Sequence, residues 1–254
     1  MQNTTVIDLP SKGRFYPSEH PLSNGEIEVR YMTAADEDIL TDQNLLRKGK
    51  ALDRLLENVI VEDGVTLDDL LVGDKGAIVL ATRILAYGPN YAYEIDCPRC
   101  NETQEESVDL REIESKELPE DVEEGSREFT FNLPVSEKSV KIELLTHREN
   151  QQIQEELRNT RRGASKKKLG GPSISKGVTT RLKHLIKEVG GESDRTEINK
   201  FVEQMPARDS HELRKFVREV NPDLDLTQSF LCDWCGHEEV MRIPLDANFL
   251  FPTE

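Results

Sequence analysis

The chain has 254 residues, 32% of them charged and 36% apolar, and a net charge of −16. That length allows one large domain or two small ones, and so modest an apolar share makes the core thin or divided. An acidic surface repels phosphates, which argues against nucleic-acid binding over the whole molecule, and no run of about 18 apolar residues is present to span a bilayer.

The start, MQNTTVIDLPSKGRFY, has no basic stretch followed by an apolar core and does not read as a signal peptide. Cytosolic synthesis with reduced thiols is the expectation. Pro10, Pro17, Pro21, Gly13 and Gly25 mark residues 1–25 as an extended arm with turns. The arm carries Phe15 and Tyr16 in a segment too rich in Pro and Gly to build its own core. Such arms wrap their own domain or dock on a neighbour, and docking is the expectation here.

Residues 26–32 (EIEVRYM) alternate as a strand does. Thr33 then offers an N-cap, with Asp36 three residues on, for a helix reaching towards Gly49. Apolar spacing predicts a helix over 51–60, a short one over 67–71 and a longer buried one over 74–87. Residues 90–110 read as strand, Cys97-Pro-Arg-Cys100 knuckle, strand. The acidic, Pro/Gly-punctuated stretch 113–126 suits a linker.

The order then restarts. REFTFNLP and SVKIELL read as strands, and Thr146 with Glu149 has the capping-box spacing ahead of a helix over 147–159. Residues 160–173 form a Gly-rich basic loop, and helices are expected over 175–189, 194–206 and 210–222. Residues 229–245 repeat strand, knuckle (Cys232, Cys235), strand, and the tail presents Phe249, Leu250 and Phe251 to pack back on the fold.

Five landmarks recur in order: Leu-Pro (Leu9-Pro10, Leu133-Pro134), a strand ending in Met/Leu-Thr, a capped helix, an Arg-Leu helix (Arg54-Leu55, Arg181-Leu182) and a CxxC hairpin. The pattern reads as an internal duplication with one inserted loop. The fold expected is α+β: an arm (1–25), a first module (26–112), the linker (113–126) and a second module (127–254), joined by a shared zinc-ribbon-like site.

The four cysteines are the only ones in the chain. Zn²⁺ takes four ligands tetrahedrally and each knuckle supplies two, so Cys97, Cys100, Cys232 and Cys235 together make one closed structural site. His237 is a rival ligand two residues past Cys235. A thioredoxin-like redox pair would begin a helix, whereas a strand follows each knuckle here; free thiols remain the bland alternative.

A four-thiolate shell leaves no open position for water, and HExxH, GxSxG and phosphate-cradling Gly-Lys-Ser/Thr motifs are all missing. The histidines (His20, His147, His184, His211, His237) are scattered and read as surface or capping residues. No enzyme is expected. The basic run Arg158, Arg161, Arg162, Lys166, Lys167, Lys168 reads first as a solvated loop and next as a segment that orders on a protein partner. Without interleaved aromatics it offers no base-stacking platform.

LPSKGRFY followed by EIEVRYMTAADEDIL, then FNLPVSEKSVKIELLTHREN and IPLDANFLFP, resembles the T4-type bacteriophage baseplate protein family, whose members include a hub subunit and a hub assembly factor. The resemblance implies a structural or assembly role in a contractile phage tail, in contact with other tail proteins, made in the host cytoplasm and carried in the virion. It implies no enzymatic activity. The zinc reading rests on cysteine spacing alone. The alternatives are an assembly chaperone absent from the mature particle and a zinc-ribbon nucleic-acid binder using the basic loop.

Overall fold

The computed structural model describes residues 3–120, 122–166, 176–243 and 247–250, with 161–166 and 247–248 described by backbone alone. Thr4–Asp8 (β1) and Glu26–Arg30 (β2) pair antiparallel, Ile7 opposite Ile27. Alternation buries Ile27 and Val29 completely.

The connection between these strands corrects the expectation of a docking arm. Phe15 and Tyr16 are 1% and 5% exposed, within the chain's own core. The reason is that the polar tip of Tyr16 is satisfied internally: its hydroxyl donates to Asp74 Oδ2 at 2.7 Å and accepts from the Leu71 N–H at 3.0 Å. Gly13 permits the turn, with φ +74° and room for no side chain, since a Cβ would lie 2.2 Å from the Ser23 carbonyl oxygen.

Four helices follow: Ala34–Thr41 (α1), Gln43–Lys48 (α2), Ala51–Val59 (α3) and Val72–Tyr87 (α4). The Thr33–Asp36 capping box forms, and Arg30 adds a bidentate pair to Asp36 at 2.7 and 2.9 Å. The single helix expected up to Gly49 is split because the Asp42 carboxylate accepts from the Asn44 and Leu45 N–H groups and starts α2. Asn90–Asp96 (β3) and Thr103–Asp109 (β4) form the first knuckle hairpin. Residues 114–116 of the expected linker lie along the body: the Lys116 N–H donates to the Asp223 carbonyl and the Asp225 N–H to that of Glu114.

The second half runs Glu128–Asn132 (β5), Ser139–Glu143 (β6), His147–Lys166 (α5), Gly177–Leu185 (α6), Ile186–Val189 (β7), Arg195–Gln204 (α7), Ala207–Val220 (α8), Thr227–Leu231 (β8) and Glu238–Arg242 (β9). The helix expected over 175–189 stops at Leu185, and β7 joins the sheet in the order β5-β6-β7. Burial of Ile186 and Val189 favours the strand. Helix α5 outruns the expected loop boundary: residues 160–166 are helical, as their Arg, Ala and Lys content favours. The rest of the basic loop, Lys167 and Lys168 included, lies outside the described residues, as does Phe251.

The described elements are mixed α+β around two apolar cores. The first gathers Leu9, Phe15, Leu22, Leu55, Leu56 and Ile78 but also takes Leu144, Leu224, Leu226, Ile243 and Phe249 from the second half of the chain. The second lies between the β5-β6-β7 sheet and α5 to α8, around Leu133, Val140, Ile142, Ile153 and Leu213. Phe129 packs on both, 6.0 Å from Phe15 and 6.2 Å from Phe216 between ring centroids. Backbone also crosses between the halves, the His147 N–H donating to the Leu70 carbonyl at 2.8 Å. Gly73, in the first turn of α4, meets Pro222 so closely that a Cβ would fall 1.7 Å from its carbonyl oxygen.

Two buried aspartates pin the Leu-Pro turns. Asp74 accepts from the Ser11 N–H at 2.9 Å, beside its bond from Tyr16. Asp209 accepts from the Val135 and Ser136 N–H groups at 2.7 and 2.9 Å, and from the Ser136 hydroxyl.

Candidate metal centre

Each knuckle is built by the same backbone pattern. The Cys97 N–H donates to the Glu102 carbonyl and the Asn101 N–H returns to that of Cys97. In the second hairpin the Cys232 N–H donates to the His237 carbonyl and the Gly236 N–H to that of Cys232. The closing residues Asn101 and Gly236 both turn left-handed, at φ 59° and 64°. Asn and Gly tolerate that conformation at low cost, which lets strand, tight turn and returning strand follow within a few residues.

The two hairpins then face one another. Gln104 stitches them, its side-chain nitrogen donating to the Leu231 carbonyl and its oxygen accepting from the Asp233 N–H. The Tyr93 hydroxyl donates to Gln228 at 2.9 Å. Phe230 is buried beside Cys97 and Cys232, with Ile95 and Met241 packed around them. Cysteines 138 residues apart in the chain thereby come together.

The Cys97 and Cys235 sulfurs are 3.7 Å apart, those of Cys100 and Cys232 3.6 Å, and all four lie within 4.8 Å of one another. These are free thiols, well beyond the ~2.05 Å of a disulfide. Four sulfurs at about 2.3 Å from a central zinc would sit about 3.8 Å from each other, so the spacing fits a tetrahedral metal. Burial pushes the Cys97 thiol up, but the Cys100 and Arg99 N–H groups outweigh it and draw the thiol down to about 6. The Glu102 N–H draws Cys100 down; burial and the neighbouring sulfurs outweigh that and push it up to about 12. A cation between four sulfurs this close together would favour their ionised form.

A closed shell of four thiolates can hold a metal but leaves no position for substrate or water. His237 does not join the cluster among the described residues; its Nε2 pairs with Glu239 at 3.2 Å. Arg158 donates to the Lys48 carbonyl at the end of α2. Arg161, Arg162 and Lys166 stand on helical backbone.

Two groups escaped the sequence reading. His147, expected at the surface or in a cap, is 2% exposed, with Nε2 3.5 Å from Asp53 and Nδ1 3.3 Å from Lys75 Nζ. Burial, then the Lys75 charge, pushes its pKa down, so α3, α4 and α5 meet around a neutral imidazole. Asp74 and Asp209 are fully buried, and their only sequence signal is an acid in the first turn of a helix.

No described helix is long and apolar enough to cross a membrane. A family model described as T4 bacteriophage base plate protein matches residues 1–250. No curated protein and no solved structure matches significantly.

Proposed function

Because the chain belongs to the T4 bacteriophage base plate protein family over nearly its whole length, we propose that it is a structural adaptor of the phage tail base plate, in the hub or a wedge, that holds other tail proteins and performs no catalysis. Family membership carries this reading. The closed four-cysteine cluster agrees with it, since it supplies stiffness rather than chemistry.

The metal in this reading is a single structural Zn²⁺ on Cys97, Cys100, Cys232 and Cys235. Thiolates suit zinc, and the sulfur spacing matches its tetrahedron. The chain contributes two rigid knuckles and their stitching through Gln104, so the metal would clamp the first half of the chain to the second.

The halves in this reading are duplicated modules. Support comes from paired features: a Leu-Pro turn held by a buried aspartate, a Thr-acid capping box, a nine-residue helix whose following isoleucine (Ile60, Ile186) bridges to the hairpin strand, and a knuckle with the same hydrogen bonds. Ile60 pairs with Val29 and Ile186 with Ile142. Matching these isoleucines sets Leu56 against Leu182, so the Arg-Leu landmark is displaced by one residue. It also makes β1-β2 the counterpart of β5-β6, which moves the start of the first module from residue 26 to Thr4.

Mass spectrometry of purified mature virions tests the role. Peptides in fixed proportion to other base plate proteins are expected. Absence from particles whose assembly nevertheless requires the chain would contradict it and identify a transient assembly factor.

A further inference from the structure

We propose that the solvent side of the β8-β9 hairpin, with Leu231 and Val240 on its strands and Trp234 in its knuckle, is a docking surface for another base plate protein that offers an apolar socket rimmed by lysine and arginine. The partner's class rests on the base plate reading; the surface rests on the geometry below.

These side chains are 54%, 70% and 66% exposed, three of the four most exposed large apolar residues among those described. They fall within ten residues of one another, and Trp234 is the only tryptophan in the chain. Ser229 pairs with Val240 and Leu231 with Glu238, so Leu231 and Val240 are diagonal neighbours on one face. The opposite face is already used, with Phe230 and Met241 packed towards the cysteine cluster. The hairpin thus has an internal apolar side and, unusually, a second one turned to solvent.

Trp234 lies between Cys232 and Cys235, in a turn fixed by backbone hydrogen bonds. A rigid aromatic presented this way loses little entropy on burial, and tryptophan is enriched among the residues that dominate interface energies. Charge selects the occupant. Residues 90–109 and 227–242 carry nine carboxylates against two guanidinium groups, Arg99 and Arg242. A second copy of this chain would bring the same negative field and be repelled, whereas a basic rim would be attracted.

The test uses the full chain labelled with 5-fluorotryptophan, which gives one ¹⁹F resonance, mixed with the unlabelled base plate proteins of the same particle. We expect the resonance to shift and lose its solvent-isotope effect in one such complex, with affinity falling as salt rises. Trp234→Ala should weaken that complex about tenfold or more, and Val240→Lys should do likewise, while both free variants keep the parent's thermal midpoint. If the chain binds but the resonance stays solvent-exposed and Trp234→Ala binds equally well, the docking face is overturned and the base plate role stands. If the resonance shifts with the chain's own concentration alone, a second copy is the occupant and the proposal fails. If the chain joins none of these proteins, both readings fall.

Discussion

Asp74 and Asp209 stand at the third position of α4 and of α8, and each carboxylate receives backbone N–H from the Leu-Pro turn of its own half. A helix N-terminus already favours a negative charge, and the turn adds donors that have no other partner among the described residues. Asp209→Ala would leave two N–H groups and the Ser136 hydroxyl unsatisfied. We expect a loss of about 2–3 kcal/mol in urea denaturation. A loss near zero would mean that water replaces the carboxylate.

The buried carboxylates also set opposite pH dependences. Hydrogen bonding from Arg30 holds Asp36 well below the usual carboxylate range. Its contribution is full above the ordinary value of 3.8 and is lost as pH falls towards the folded value. Burial pushes Asp74 above 3.8, only partly offset by Tyr16 and Ser11. Its contribution is full below 3.8 and is lost as pH rises through the folded value. Urea midpoints followed across that range should show Asp36→Asn removing part of the acid-side loss and Asp74→Asn removing part of the fall towards neutrality. The reverse pattern would contradict both assignments.

Gly73 and Gly76 share α4 but not its packing. A Cβ at Gly73 would collide with the Pro222 carbonyl at 1.7 Å, whereas one at Gly76 would meet nothing within 4 Å. Gly73→Ala should cost about 3 kcal/mol or prevent folding. Gly76→Ala should stabilise by about 0.5–1 kcal/mol, since glycine is costly inside a helix. Thermal melts of the two variants side by side check the pair, and equal effects would show that Pro222 yields.

Local chemistry was readable along the chain. Thr33 with Asp36 and Thr146 with Glu149 both form the caps their spacing suggests, and both CxxC runs sit on hairpins. Contacts between distant segments were less so. Nothing near Phe15 or Tyr16 reveals that Asp74 and Leu71 wait for the tyrosine hydroxyl. Ile186–Val189 is too short for a period of two to emerge, and it continues the apolar spacing of α6, so a strand there depends on β6 lying alongside. His147 follows a cap residue and looks exposed, yet packing of α3 and α4 covers it. The cysteine cluster was anticipated because metal stoichiometry is a global constraint: two ligands in each hairpin demand two hairpins.

Replacing one cysteine should act at a distance. Cys97→Ser leaves β8-β9 intact in sequence but removes one of the four clustered sulfurs, so with a shared metal hydrogen exchange at Phe230 and Leu231 should quicken along with that of β3. Exchange confined to residues 90–109 would mean that the hairpins are held by Gln104 and Tyr93 without a shared metal.

Metal content measured directly, by elemental analysis and native mass spectrometry of protein purified without chelator, reaches furthest into this account. One zinc per chain, lost together with the pairing of the two hairpins when all four cysteines are replaced by serine, is the predicted result. Two metals per chain, or none, would contradict a clamp shared between the halves.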